Sequence, residues 1–155
     1  MRFITLDWWR GDDPRDPFPA YQAHLAKIRQ LLPARLIWLQ EDCRLHDAEV
    51  QSTRYESVSA VFVIDLIAYE EDEAAARTNA RRVRLRYSQV VSIASTVDPK
   101  GKLPGPGGYG HLGYDEVDVT KEGHLEHRLL FSTGIEMQIV FGEFGLEWEG
   151  LEDFE

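Results

Sequence analysis

Hydrophobic residues recur at a helical spacing in the first quarter of this 155-residue chain. An apolar residue returns every three or four positions, which is the period of one helix face. Asp16 suits the N-cap and Pro17 the first helical position. We therefore predict a helix that begins near Asp16 and ends near Pro33. Its apolar face consists of Phe18, Tyr21, Leu25, Ile28 and Leu32.

The segments on either side of this helix carry shorter patterns. Residues 2–9 indicate a first strand with both faces partly covered, because apolar side chains occupy odd and even positions alike. After the helix, residues 36–40 favour a second short helix, and the chain turns at Asp42.

From residue 58 onward the pattern is that of strands. Residues 58–69 are apolar on both faces, which is typical of a central strand covered on both sides. Residues 82–93 alternate between apolar and polar side chains, as in a half-buried strand. The segment between them, residues 70–81, fits either a loop or one exposed helix with a Glu73–Arg77 pair.

The strongest hairpin signal is Ser132-Thr133-Gly134. It separates two runs, 125–131 and 135–141, whose apolar residues occupy odd positions, and it places glycine where a left-handed residue is needed. Past Gly142 the apolar residues move from odd to even positions, which predicts a bulge near Gly142.

These elements predict an α+β fold in which an N-terminal helical segment packs on a mainly antiparallel sheet of about five to seven strands. The length suits a single domain over residues 1–155. No apolar run approaches the roughly 18 residues of a membrane-spanning helix, and the start lacks a secretory signal pattern. One cysteine, Cys43, fits a reducing compartment. We expect a cytoplasmic bacterial protein with no membrane partner.

The net charge of −10 is unevenly distributed. Residues 1–113 contain 15 acidic and 15 basic residues, whereas residues 114–155 contain 12 acidic residues and two basic ones, Lys121 and Arg128. Such a segment would repel a phosphate backbone, so we expect no nucleic-acid partner. A basic protein partner is physically plausible, since complementary fields speed encounter. The alternative is a solvated acidic face that keeps the protein soluble.

The longest irregular stretch of the sequence is residues 97–113. Its Gly105, Gly107 and Gly110 match G-x-G-x-x-G literally, but prolines interrupt the stretch and a strand-like segment follows it, so a phosphate cradle is rejected. We expect no cofactor. The functional alternative is a mobile loop that presents Tyr109 and His111.

Histidines and the cysteine are the other candidates for chemistry. His46 and Asp47 resemble half of a metal site, yet neighbouring side chains of a strand point to opposite faces, so we favour a corner anchored by His46 and expect no metal. His127 shares an apolar face and is interpreted as a hydrogen-bonded core histidine, whereas a zinc pair with His124 is disfavoured. Cys43 could pair with His46, but no third residue that would orient the pair can be named, so we interpret Cys43 as a small, semi-buried residue.

Asp65 interrupts an apolar run, where a bare carboxylate is costly to bury. An ion pair with a row of arginines on a neighbouring strand is the first interpretation, and a carboxylate with a raised pKa in a pocket is the second. The row consists of Arg82, Arg84 and Arg86. The same arginines are alternative partners for a second set of acidic residues, which are Asp115, Glu116 and Asp118.

Two segments carry a resemblance to other proteins. One is Leu45-His46-Asp47-Ala48, and the other is Tyr114-Asp115-Glu116 followed by Glu126-His127-Arg128-Leu129-Leu130-Phe131 and the strand at 135–141. Together they resemble a loose group of short bacterial proteins of unknown function that share a Leu-His-Asp segment and a similar C-terminal hairpin. Some small acidic α+β proteins of this kind look like immunity proteins, which implies a toxin-like partner by analogy.

Three functional hypotheses follow. The first is an acidic interaction module that binds a basic partner through a set of candidate binding residues. The second is a small metal-dependent or acid/base enzyme near the glycine-rich loop, with His46, Asp47, His111 or Glu116 as catalytic candidates. The third is self-association through exposed strand edges. The candidate binding residues are Tyr109, His111, Asp115, Glu116, Asp118 and Trp148.

Overall fold

A computed structural model describes residues 1–72, 77–97 and 108–150 of the chain. Within these ranges it is an α+β fold with three α-helices and one antiparallel sheet of eight strands, slightly more than predicted. The helices are α1 (Leu6–Trp9), α2 (Phe18–Ile28) and α3 (Ala34–Glu41), with a 3₁₀ turn at Arg29–Leu31. The strands are β1 (Ala48–Glu56), β2 (Val61–Asp72), β3 (Arg77–Ser88), β4 (Ser92–Thr96), β5 (His111–Val119), β6 (Leu125–Phe131), β7 (Glu136–Phe141) and β8 (Glu143–Gly150).

The sheet curls back on itself. Its strands pair in the order β4-β7-β6-β5-β1-β2-β3-β8, yet β7 and β8 are consecutive along the chain and separated only by Gly142. The pair β3–β8 therefore continues around a corner as the pair β4–β7. At the other side, β1 and β5 share two residue pairs, Ala48 with Leu112 and Glu49 with His111. The two ends of the strand order, β4 and β8, thus come together at the Gly142 corner without pairing with each other, and the apolar core lies on the inner face of the curled sheet.

The corner at Gly142 accounts for the predicted bulge. Gly142 donates its N–H to the Ser88 carbonyl at 3.1 Å, and Val91 donates to the Val140 carbonyl at 2.8 Å. A Cβ on residue 142 would overlap Gln89 Oε1 and lie 3.0 Å from Gln89 Cβ, so any other residue there requires the Gln89 side chain to shift. The apolar residues move from odd to even positions because the chain passes from β7, which pairs with β6, to β8, which pairs with β3. The predicted bulge within one strand is instead a corner between two strands.

Local sequence signals locate the central helix and the hairpin correctly. The predicted helix is α2 with its 3₁₀ extension, but it begins at Phe18 with Pro17 and not Asp16 at the N-cap; the Asp16 carboxylate accepts the Phe18 N–H at 3.0 Å. The short helix is α3. The hairpin joins β6 to β7, and Gly134 has a φ of 83°, which confirms the predicted left-handed residue. Strand β2 is buried on both faces, as predicted, with Val63 1% and Ile64 0% exposed.

Three predicted segments differ from the structure. Residues 2–9 end in α1 rather than a strand, because the Thr5 hydroxyl accepts the Trp8 N–H and caps a helical turn. The predicted strand 82–93 is divided into β3 and β4 by the corner. On residues 70–81, the described parts continue β2 and β3 instead of forming a loop or helix, and Glu73 lies outside the described residues.

The core is a single cluster that extends from the inner face of the sheet to the two longer helices. Beyond their two shared residue pairs, β1 and β5 diverge, and α2 and α3 pack against β5 there. The Tyr21 hydroxyl of α2 accepts the buried Val117 N–H of β5 at 2.8 Å, which satisfies a strand edge that β1 does not reach. None of the helices in the described ranges has the length and apolar character needed to cross a bilayer.

Candidate functional site

A cavity of about 330 Å³ lies where α2 and α3 meet β5. We call it the Asp115 cavity. Its floor and walls include eight residues with polar or titratable side chains, and apolar side chains with Gly113 complete the lining. A concave site of this kind with a few converging polar groups is the usual form of a ligand pocket. The eight residues are Tyr21, Gln22, Gln40, Cys43, Arg44, His46, Tyr114 and Asp115.

A chain of hydrogen bonds crosses the floor of the cavity and ends on Asp115 from both sides. From the helices, the Tyr21 hydroxyl donates to Gln40 Oε1 at 2.6 Å, and Gln40 Nε2 donates to Asp115 Oδ2. From the core, His127 Nε2 lies 2.8 Å from Asp115 Oδ2, and the Tyr87 hydroxyl lies 2.8 Å from His127 Nδ1. A neutral His127 with its hydrogen on Nε2 satisfies every one of these contacts.

The two tyrosines of this chain keep their protons. Burial raises the pKa of Tyr21 above its ordinary value, and the negative charge of Asp115 adds to the effect. Complete burial raises the pKa of Tyr87 in the same way, again with a contribution from Asp115. Neutral phenols can donate, so both hydroxyls act as donors in a network that converges on one carboxylate.

The Asp115 carboxylate has one occupied oxygen and one open oxygen. Gln40 and His127 both contact Oδ2, and no described residue donates to Oδ1. The Asp115 side chain is 20% exposed. Arg44 also lines the cavity; its side chain carries a permanent positive charge and is exposed. The cavity therefore holds a carboxylate that hydrogen bonds from Gln40 and His127 orient.

Cys43 lines the same cavity without being activated. Burial raises the pKa of its thiol to about 12, and the charges of Asp115 and Glu70 add to the rise. A cysteine nucleophile requires the thiolate, which a raised pKa disfavours. His46 also lines the cavity, but the protonated thiol of Cys43 argues against a nucleophilic pair.

His46 and Asp47 form the corner that the sequence predicts. His46 Nδ1 lies 2.6 Å from the Gly113 carbonyl, to which it donates, and its Nε2 is 3.5 Å from Asp47 Oδ2. Asp47 has a φ of 64° and its N–H donates to the Leu112 carbonyl. Its side chain is 72% exposed. The pair thus turns the chain from α3 into β1 and holds it against β5.

Glu116 and Asp118 are internal structural groups on the outer face of β5. Glu116, which is 1% exposed, accepts the backbone N–H groups of Arg2, Phe3 and Ile4 at 2.5–2.9 Å. Asp118 contacts Arg2 at 3.1 Å and His24 at 2.9 Å. The charges of both carboxylates are therefore already compensated within the chain.

Asp65 forms the predicted ion pair with an arginine of a neighbouring strand, which is Arg84. Its Oδ1 accepts from Arg84 Nε at 2.7 Å across β2 and β3. Burial works to raise the pKa of Asp65, but hydrogen bonds from Arg84 and Ser52 outweigh it and the pKa is lowered. The second interpretation, an Asp65 carboxylate with a raised pKa, is therefore wrong. The arginines also do not reach β5, because the neighbours of β3 are β2 and β8.

The remaining candidates lie outside the lining of the Asp115 cavity. His111 is exposed at the start of β5, and Tyr109 packs on Phe131 with ring centroids 4.9 Å apart. Trp148 is half-buried and packs edge-to-face on Trp38. Residues 98–107 of the glycine-rich stretch, including Gly105 and Gly107, lie outside the described residues, and residues 111–113 belong to β5.

The four catalytic candidates are not brought together. Of His46, Asp47, His111 and Glu116, only His46 lines the cavity. His127 is a buried, hydrogen-bonded core residue, as predicted, and His124 is on the turn before β6. In the part of the chain that the structure describes, no three His, Cys, Asp or Glu residues are placed to hold one metal ion.

Sequence reasoning named Asp115 but missed three members of its network. Tyr21 was assigned only to an apolar helix face, Tyr87 fell within the half-buried strand predicted at residues 82–93, and Gln40 fell within the short helix predicted at residues 36–40. The available signal was the hydroxyl on each apolar face, because a buried tyrosine normally has a hydrogen-bond partner. A scan of protein-family models and a search of curated proteins both find no match to this chain.

Proposed function

We propose that the protein is an interaction module that binds a basic partner by taking a cationic side chain of that partner into the Asp115 cavity. The observation that carries the proposal is the open Oδ1 of Asp115, in a carboxylate that Gln40 and His127 orient from two sides. A carboxylate with restricted access to water attracts a cation more strongly than an exposed one.

The charge of the chain supports the same proposal. With a net charge of −10, the protein attracts a basic partner at long range and speeds the encounter. Since Glu116 and Asp118 are compensated internally, the specific contact is proposed at Asp115 and not along the whole acidic segment. This narrows the candidate binding residues to one carboxylate and its cavity.

The test is the affinity for a basic peptide that contains both lysine and arginine, measured through the fluorescence of Trp8 and Trp9, which pack on Tyr114. Asp115→Asn is expected to weaken binding by about tenfold to a hundredfold, because a hydrogen bond to a charged group contributes about 1.5–3 kcal/mol. High salt should weaken binding of the natural chain as well.

Two further variants separate the effect of net charge from the effect of the cavity. Glu122→Gln removes the same unit of charge from an exposed turn, so it should leave the affinity nearly unchanged. Arg44→Gln removes the basic side chain at the edge of the cavity and should tighten binding. Equal affinities of Asp115→Asn and Glu122→Gln for the peptide would rule out the cavity as the binding site.

A second candidate function, self-association, is favoured by strand β4. Every residue of β4 is exposed, and among the described strands it pairs only with β7. Ile93 presents an exposed apolar side chain on it, and Val91 and Val97 do so directly before and after it. An exposed apolar edge strand is a template for pairing with another chain, so we propose a dimer formed by β4 edges.

The mass of the protein in solution, measured over a range of concentrations, tests the dimer. Val91→Lys is expected to weaken dimerisation by at least about tenfold, because a charge directly before an edge strand opposes pairing along that edge. Val58→Lys makes the same change in the turn before β2 and should have no effect. A natural chain that stays monomeric at every concentration would end this proposal.

A further inference from the structure

The Asp115 carboxylate offers a ligand one oxygen and not two. Its Oδ2 already accepts from Gln40 and His127, which leaves Oδ1 as the open acceptor. The two donors come from opposite sides, one from α3 and one from β6. They therefore fix the orientation of the carboxylate as well as occupy half of it.

A single open oxygen distinguishes between the two cations of protein side chains. A guanidinium group binds best with two parallel N–H donors on the two oxygens of one carboxylate. An ammonium group is a compact charge with three rotatable donors, and it needs only one oxygen. The occupied Oδ2 thus removes the advantage that arginine normally has at a carboxylate.

The walls of the cavity fit the rest of a lysine side chain. Phe18, Tyr21 and Tyr114 place three aromatic rings around it, and ring faces attract an ammonium group. Ile4 and Leu39 add apolar surface on which an alkyl chain can pack. The neutral thiol of Cys43 adds no competing charge.

We propose that the Asp115 cavity selects a primary ammonium on a straight alkyl chain, the end group of lysine, over a guanidinium group. This inference rests on the proposed function, since it specifies which basic side chain the partner inserts. It also assigns the roles: Asp115 contacts the ammonium, Phe18, Tyr21 and Tyr114 surround it, and Gln40 and His127 position the carboxylate.

The experiment compares three glycine-serine peptides that differ at one central residue, which is lysine, arginine or norleucine. Binding is followed by NMR through the Gln40 side-chain amide, which donates to Asp115 and reports directly on the carboxylate. The lysine peptide is expected to bind at least about tenfold tighter than the arginine peptide. The norleucine peptide has the same alkyl chain without the charge, and we expect no measurable binding.

The outcomes separate this inference from the proposed function. Equal or tighter binding of the arginine peptide, lost in Asp115→Asn, would overturn the lysine selectivity and leave a cation site in place. No Asp115-dependent binding of either charged peptide would overturn both. A free alkylamine that binds as tightly as the lysine peptide would show that the site serves a small amine and would overturn the assignment to a partner's lysine.

A second pair of variants keeps the test independent of the folding of Asp115→Asn. Phe18 is 38% exposed, so its replacement places little strain on the core. Phe18→Leu removes an aromatic face and should weaken lysine binding about threefold to tenfold, whereas Phe18→Tyr keeps the face and should bind normally. Identical lysine affinities for the two variants would contradict the role of the aromatic ring.

Discussion

Replacing Glu116 with alanine is expected to lower the free energy of unfolding by about 3–5 kcal/mol, because three backbone donors lose their acceptor at once. Glu116 accepts from the N–H groups of Arg2, Phe3 and Ile4, and Ile4 is only 2% exposed. The loss also removes a carboxylate near Arg128, whose Nη1 lies 3.7 Å from Glu116 Oε2. Denaturant unfolding followed by tryptophan fluorescence measures the change.

Glu116→Gln provides the matched variant. Its remaining carbonyl oxygen can still accept from Phe3 and Ile4, so the expected loss is smaller, about 1–2 kcal/mol. Glu122→Ala, on the exposed turn, should stay within about 0.5 kcal/mol of the natural chain. Hydrogen exchange at the amides of residues 2–4 should rise in Glu116→Ala before the rest of the sheet opens. An unchanged midpoint for this variant would contradict the role we assign to Glu116.

The burial of Glu116 also explains why the charge layout of the sequence misleads. Counting places 12 acidic residues in the final 42, which reads as an acidic surface. Strand β5 has a second covered face, because residues 2–4 lie against Glu116 and α2 brings His24 to Asp118. Nothing in the local pattern of a strand reveals that a distant segment of chain covers its outward side.

Sequence reasoning succeeds where a structure depends on a few neighbouring residues. The hairpin at residues 132–134 depends on the left-handed conformation of Gly134, which glycine adopts without steric cost. Helix α2 depends on an apolar period and on Asp16 at its start. Both were predicted close to their observed bounds.

Sequence reasoning fails where a tertiary contact decides between similar local patterns. Residues 82–93 alternate like one strand, yet the corner against Gly142 divides them into β3 and β4. Residues 2–9 have no helical period long enough to detect, because α1 is a single turn capped by Thr5. Such short elements depend on what they pack against, here the rings of Trp8 and Trp9 on Tyr114.

In the candidate site, too, individual residues could be predicted from the local sequence, but the contacts between distant segments could not. Asp115 was identified from its place in an acidic segment, and His127 from the apolar face that it shares. Their connection to Gln40 could not be predicted, because Gln40 is 75 positions from Asp115 and reaches it only when α3 packs on β5. A hydrogen-bond network between distant segments is a property of the fold, so the pattern of any one segment does not contain it.

The second large effect is expected at His127, which joins the core to the Asp115 cavity. His127→Ala should lower the free energy of unfolding by about 3–5 kcal/mol, because it leaves a cavity in the core and a buried Tyr87 hydroxyl without its acceptor. His127 is 0% exposed and packs against Tyr87 and Phe144. Thermal or denaturant unfolding measures the loss.

Tyr87→Phe separates the hydrogen bond from the packing. It keeps the ring, which packs on Phe62 and Phe141, and removes only the donor to His127 Nδ1, so the expected loss is about 1–2 kcal/mol. Combined with Asp115→Asn, it forms a double-mutant cycle across His127. A coupling of about 0.5 kcal/mol or more is expected, because both partners polarise the same imidazole ring. Strictly additive losses would mean that His127 supports the core and the cavity independently, and the network would then be only a set of separate contacts.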